Sequence, residues 1–94
     1  MSEPHRALPD IDFATFVLSL GSSALIHLGA MEEPGNGESP AIDLPLAKQT
    51  IDIIAMLLEK TRGNLTGEES RLAEGLLHDL RVKYVDAAKQ SKGR

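Results

Sequence analysis

The chain has 94 residues, of which 41% are hydrophobic and 26% charged, and its formal net charge is −4. A chain of this length can bury one small core, which excludes two independent domains. Because it contains no cysteine, disulfide scaffolds, thiol nucleophiles and thiolate metal sites are excluded. Aromatic residues are only 3% of the sequence, so the expected core is aliphatic, which favours an all-α protein.

Residues 1–11 show no hydrophobic periodicity and are predicted to form a disordered N-terminal arm. The segment lacks the basic start and the apolar stretch of a secretory signal. Together with the absence of cysteine, this predicts a cytoplasmic location. A single helical domain is expected to follow over residues 12–88.

The first predicted helix spans residues 12–31, with Asp12 as its N-cap. Apolar residues surround most of this helix, so it is expected to be buried on nearly every side. Residues 13–31 carry no formal charge and would extend about 28 Å, close to the thickness of a bilayer core. A membrane span is nevertheless not expected, because small polar residues interrupt the stretch and no Lys or Arg flanks it. The small residues around Gly21 would instead let two helices approach closely.

A loop over residues 32–42, rich in Pro and Gly, separates the first helix from two amphipathic helices. The second helix is predicted over residues 43–62 and is stopped by Gly63. The third helix, over residues 66–88, begins at a capping box formed by Thr66 and Glu69. The short connection between them predicts an antiparallel hairpin. Two surface ion pairs are expected from i,i+4 spacing, Lys48 with Asp52 and Asp79 with Lys83.

Two amphipathic helices can cover only part of a first helix that is apolar all round. The sequence therefore favours a homo-oligomer, with a dimer as the preferred form, while a tight three-helix monomer or a partner helix are the alternatives. The predicted contact is carried by five apolar residues on the first helix, namely Phe13, Phe16, Leu20, Ala24 and Leu28.

Residues 58–66, Leu-Glu-Lys-Thr-Arg-Gly-Asn-Leu-Thr, resemble a family of short bacterial proteins known as domain of unknown function 1844. Phe13-x-x-Phe16 and the stretch around Asp43 and Ala47 are similar to the same family, so the resemblance covers roughly residues 13 to 85. It implies a small helical bacterial domain. It implies no activity, cofactor or functional residue.

Two surfaces could bind an anion. Lys60, Arg62 and Thr66 surround the turn before the third helix, whose free first-turn amides suit a phosphate. The competing interpretation is a capped turn, because Glu68 and Glu69 already complement the positive end of that helix. The second surface is a flexible basic tail over residues 89–94, within a stretch from residue 79 that holds five basic and two acidic side chains.

Candidate chemistry is sparse. His27 and His78 lie on different predicted helices with no second ligand at metal-binding spacing, and neither Ser22 nor Ser23 has a base to activate it. We therefore expect no catalytic residue, metal or cofactor, and we do not expect nucleic acid or a membrane as partner. The sequence predicts a non-catalytic homo-oligomeric interaction or adaptor module. The alternative is an anion or nucleic-acid binding accessory protein that uses Lys60, Arg62 and the basic C-terminal end.

Overall fold

The computed structural model describes residues 10–31 and 42–92. These residues form three helices and no strand: α1 (Phe13–His27), α2 (Leu44–Lys60) and α3 (Gly67–Lys92). Each helix packs against the other two, which confirms the predicted all-α, three-helix bundle. Most of the predicted arm and of the predicted loop lies outside the described residues.

The helix starts are those that the sequence predicts. The Asp12 carboxylate accepts a 2.8 Å hydrogen bond from the Thr15 amide; this bond lowers the pKa of Asp12. Asp43 accepts from the Leu46 amide at 3.1 Å in the same way at the start of α2. At α3 the capping box is reciprocal: the Glu69 amide donates to Thr66 Oγ1 at 3.1 Å, and the Thr66 amide donates to Glu69 Oε1 at 2.9 Å.

The first helix ends four residues earlier than the predicted boundary at Met31. Gly29 adopts a left-handed φ of 79°, and the Ala30 amide donates to the Leu25 carbonyl at 2.9 Å. This is the bond pattern that terminates helices at a glycine. With 15 residues, α1 is about 22 Å long. Among the described residues no helix combines the length and the hydropathy that a bilayer crossing requires.

The connection between α2 and α3 is closed by backbone geometry. Gly63 has a φ of 88°, as its predicted role at the end of α2 requires. The Asn64 amide then donates to the Thr61 carbonyl at 2.8 Å. α3 does not end near Ala88 but continues to Lys92, because Lys and Gln are good helix formers and cations suit the C-terminal end of the helix dipole. The flexible tail predicted from residue 89 is thus helical as far as Lys92.

The core is aliphatic, as the composition predicts. Val17 from α1, Ile54 from α2 and Leu80 from α3 are its largest fully buried side chains. Small side chains between them let the helices approach, and Ala24, Ala47 and Ala73 are all completely buried. The buried cluster contains no aromatic residue; it consists of Val17, Ala24, Leu28, Ala47, Ile51, Ile54, Ala73, Leu77 and Leu80.

Candidate interaction surface

The five residues predicted to form a contact on the first helix separate into buried and accessible groups. Ala24 is 0% exposed and Leu28 5% exposed within a single chain. Both belong to the core and are withdrawn from the candidate surface, because α2 and α3 already cover them. Phe13 and Leu20 are half-buried against the core. Phe16 remains 42% exposed.

The exposed edge of α1 that carries Phe16 faces α2. Gly21, on one side of the buried stripe of α1, lies against Leu76 of α3. At 100° per residue, Phe16 and Leu20 lie on the other side of that stripe. Since α1 has only α2 and α3 as neighbours among the described residues, this other side borders α2.

The corresponding edge of α2 is identified by its charged residues. Lys48 and Asp52 form the predicted ion pair, with 2.9 Å between Nζ and Oδ2. The Asp52 carboxylate raises the pKa of Lys48, and Tyr84 of α3 adds to that rise. This edge of α2 therefore lies beside α3, and the opposite edge, which carries Ile53, lies beside α1.

The two edges combine into one apolar surface, which we call the α1–α2 face. On α2, Ile53 and Leu57 are half-buried, while Leu46 is exposed and Met56 is 48% exposed. None of these residues belongs to the fully buried cluster. The face consists of Phe16, Leu20, Leu46, Ile53, Met56 and Leu57. All six are apolar; Asp52, four residues before Met56, and Lys60, four residues after it, are the formal charges that border Met56 on α2.

Two of the three predicted anion-binding residues, Arg62 and Thr66, are each paired with a carboxylate, while Lys60 is exposed at the end of α2. Arg62 donates to Glu59 at 2.7 Å, and this ion pair raises the pKa of Arg62. Thr66 is bonded to Glu69 through both its amide and its hydroxyl. An anion at this turn would therefore compete with two carboxylates, so the geometry is that of a capped turn.

A second exposed surface runs along α3 on the side opposite the core. We call it the α3 outer face; at helical spacing it consists of Arg71, Gly75, His78, Val82, Val85 and Lys89. Val82 and Val85 are each 48% exposed. The predicted pair of Asp79 with Lys83 on α3 is wrong, because the ion pairs of the described residues are Lys48 with Asp52 and Arg62 with Glu59.

A groove of about 900 Å³ lies between the end of α1, the start of α2 and the last turns of α3. Its lining is mostly apolar, with Leu28, Leu44 and Pro45 on one side. Lys83, Asp86 and Gln90 supply one ammonium, one carboxylate and one amide on the other. These groups can bind polar atoms, but they do not pair a nucleophile with a base.

The two histidines of the described residues lie on different helices, His27 on α1 and His78 on α3. His27 is half-buried at the end of α1, where its carbonyl accepts a 2.8 Å hydrogen bond from the Asp43 amide. His78 is exposed on α3. Within residues 10–31 and 42–92, no three His, Asp or Glu side chains come together as a metal site.

Comparison with known families tests the resemblance. The family model described as Domain of unknown function (DUF1844) matches residues 10–86. The chain belongs to this family. The matched range of the DUF1844 family includes α1, α2 and most of α3, and therefore the whole α1–α2 face. No curated protein and no solved structure matches the chain.

Proposed function

We propose that this protein is a non-catalytic homo-oligomeric interaction module whose α1–α2 face packs against the same face of a second copy. The observation that supports it is the exposure of two large apolar side chains, Phe16 on α1 and Met56 on α2, at 42% and 48%. Phenylalanine and methionine are enriched at protein interfaces, where their large side chains lose contact with water. A small chain also gains by association, because its own core buries a limited share of its apolar surface.

The charge distribution favours a second copy as the occupant. α1 carries no formal charge between Phe13 and His27 apart from the titratable His27 itself. On α2 the formal charges that border Met56 are Asp52 and Lys60, which have opposite signs and lie one turn to either side of it. Two such faces can therefore meet without placing like charges opposite each other at the centre, where a desolvated like-charge pair would cost several kcal/mol.

The proposal is tested by light scattering over a dilution series. Wild type is expected to have a mass above one chain that falls on dilution. Phe16→Lys places a charge in the α1–α2 face and is expected to lower the mass at each concentration. Ser22→Lys is the matched control, because Ser22 is exposed on α1 outside this face, and it is expected to behave as wild type.

Circular dichroism of the same samples establishes that each variant keeps its helical content. A wild type that is a single chain at every concentration would contradict the proposal. So would a folded Phe16→Lys variant with the mass of wild type.

A further inference from the structure

The α3 outer face has features that packing within one chain does not require. Its central residues lie on the opposite side of α3 from the core residues Leu77 and Leu80. Val82 and Val85 are nevertheless apolar and exposed. Together with His78 and Arg81 they border a shallow depression on this side of the helix.

Gly75 adds a second unexplained feature to this face. A glycine inside a helix costs about 1 kcal/mol relative to alanine. At Gly21 the close approach of Leu76 explains the missing side chain. At Gly75 a Cβ would meet no atom of the described residues within 4 Å, so packing among residues 10–31 and 42–92 does not need the glycine. A glycine between exposed turns does, however, leave a recess into which the side chain of another helix can pack.

The charges of α3 are segregated along its length. From Gly67 to Asp79 the helix carries four carboxylates and one arginine. From Leu80 to Gln90 it carries three cations and one carboxylate. A second copy of this helix is therefore complementary when antiparallel, since each acidic half then faces a basic half, and it is repelled when parallel.

From these features we infer that the α3 outer face is a second self-association surface, which packs antiparallel against the α3 outer face of another copy. Val82 fills the recess at the partner's Gly75, and the two-fold symmetry of the pair repeats this contact. The occupant is a second copy because its own α3 carries the charge order that complements this face.

One antiparallel register both places Val82 at the recess of the partner's Gly75 and brings opposite charges together. With Val82 opposite the partner's Gly75, residues of opposite charge on the exposed side of α3 come opposite each other. The pairs are Arg71 with the partner's Asp86 and Glu68 with the partner's Lys89. Exposed ion pairs contribute little to affinity, so they fix direction and register, while the valines and the glycine recess provide the packing.

This contact uses different residues from the α1–α2 face and does not depend on it. A chain that carries two different two-fold contacts links dimers into tetramers or longer assemblies. The inference therefore goes beyond the proposed function, because it predicts a second level of assembly.

Light scattering of charge variants tests the inference. Val82→Lys places a charge at the centre of the outer face, and it is expected to halve the mass of the wild-type assembly. Gln90→Lys is the matched control, because it adds the same charge to an exposed position of α3 beside the groove, and it is expected to leave the mass unchanged.

A charge exchange tests the antiparallel register. Arg71→Glu and Asp86→Arg are each expected to lower the mass, because each places like charges opposite each other. The double variant Arg71→Glu with Asp86→Arg is expected to regain the wild-type mass. All these positions are exposed, so the fold should persist, and circular dichroism verifies it.

The variants also separate this inference from the proposed function. If Phe16→Lys lowers the mass while Val82→Lys does not, the α3 contact is overturned and the α1–α2 contact stands. If Val82→Lys lowers the mass while Phe16→Lys does not, the α1–α2 contact is overturned and the α3 contact stands. A double charge variant that fails to recover the wild-type mass would overturn the antiparallel register.

Discussion

A Cβ atom placed on Gly21 would lie 2.8 Å from Cδ2 of Leu76, closer than two carbon atoms can pack. α3 therefore approaches α1 at a point where only a hydrogen fits between the helix backbone and the leucine. Gly21 is thus used inside the chain, while Ser19, Ser22 and Ser23 stay exposed. The sequence predicts that these small residues bring the first helices of two copies together; at Gly21 the helix that approaches is instead α3.

Replacing Gly21 by valine should force Leu76 and α3 away from α1. We expect Gly21→Val to lower the free energy of unfolding by about 1–3 kcal/mol, the usual effect of overpacking a core. Chemical denaturation followed by circular dichroism measures this. Adding Leu76→Ala should remove the clash, so the double variant should lose less stability than the two single losses combined.

Gly75→Val is the matched control for this experiment, because a Cβ there meets no atom within 4 Å in the part of the chain that the structure describes. At dilutions where the chain is a monomer, it should stay within about 0.5 kcal/mol of wild type. Equal losses of unfolding free energy in Gly21→Val and Gly75→Val would show that the approach of Leu76 is not the reason for a glycine at position 21.

A charge at Ala24 should unfold the protein rather than only separate its copies. Ala24 is completely buried among the three helices, and an unpaired buried charge costs about 3–5 kcal/mol. Ala24→Glu should therefore lose helical content or show a much lower thermal midpoint. Ser22→Glu, at an exposed position of the same helix, should retain both. An Ala24→Glu variant as stable as Ser22→Glu would contradict the burial of this position.

The capping box should account for a measurable part of the stability. Thr66 Oγ1 accepts the Glu69 amide at 3.1 Å, and removing such a cap costs about 1 kcal/mol. Thr66→Ala should lower the free energy of unfolding by this amount in a denaturant titration. Glu68→Ala, in the same turn but outside the capping box, should have a smaller effect. The account of this turn fails if the two variants are equally stable.

The N-cap of α1 should make the free energy of unfolding depend on pH in the acidic range. The Thr15 amide lowers the pKa of Asp12 below 3.8 in the folded chain, so the ionised group favours folding. Its contribution is present above about pH 3.8 and is lost as the pH falls through the folded pKa. Asp12→Asn keeps an oxygen acceptor without this titration. The difference in unfolding free energy between wild type and Asp12→Asn should shrink below pH 3.8. A difference that stays constant with pH would contradict the stabilising role of the ionised Asp12 carboxylate.

The fold was predictable where local chemistry decides it. Asp12, Asp43 and Thr66 mark helix starts through their own side-chain oxygens, and the spacing of Ile51 and Ile54 identifies the inner side of α2. The end of α1 also had a local signal, since Gly29 follows the apolar run, but continuing hydrophobicity to Met31 obscured it.

The candidate surface could be predicted only in part. Because α1 is apolar on most sides, periodicity does not show which of its edges α2 and α3 cover. Of the predicted contact residues, Phe16 is exposed and Leu20 half-buried, whereas Ala24 is buried. Met56 is absent from the sequence prediction, although its spacing places it opposite the buried residues Ala47 and Ile54 of α2.

Alkylation of a single introduced thiol tests most directly whether a second copy covers the α1–α2 face. The chain has no cysteine of its own, so Met56→Cys and the control Ser22→Cys each carry one reactive group at a position exposed in the single chain. We predict that the alkylation rate at position 56 falls as protein concentration rises, while the rate at position 22 stays constant. Rates at position 56 that do not change with concentration, in a sample whose mass shows association, would contradict the assignment of this face as the contact.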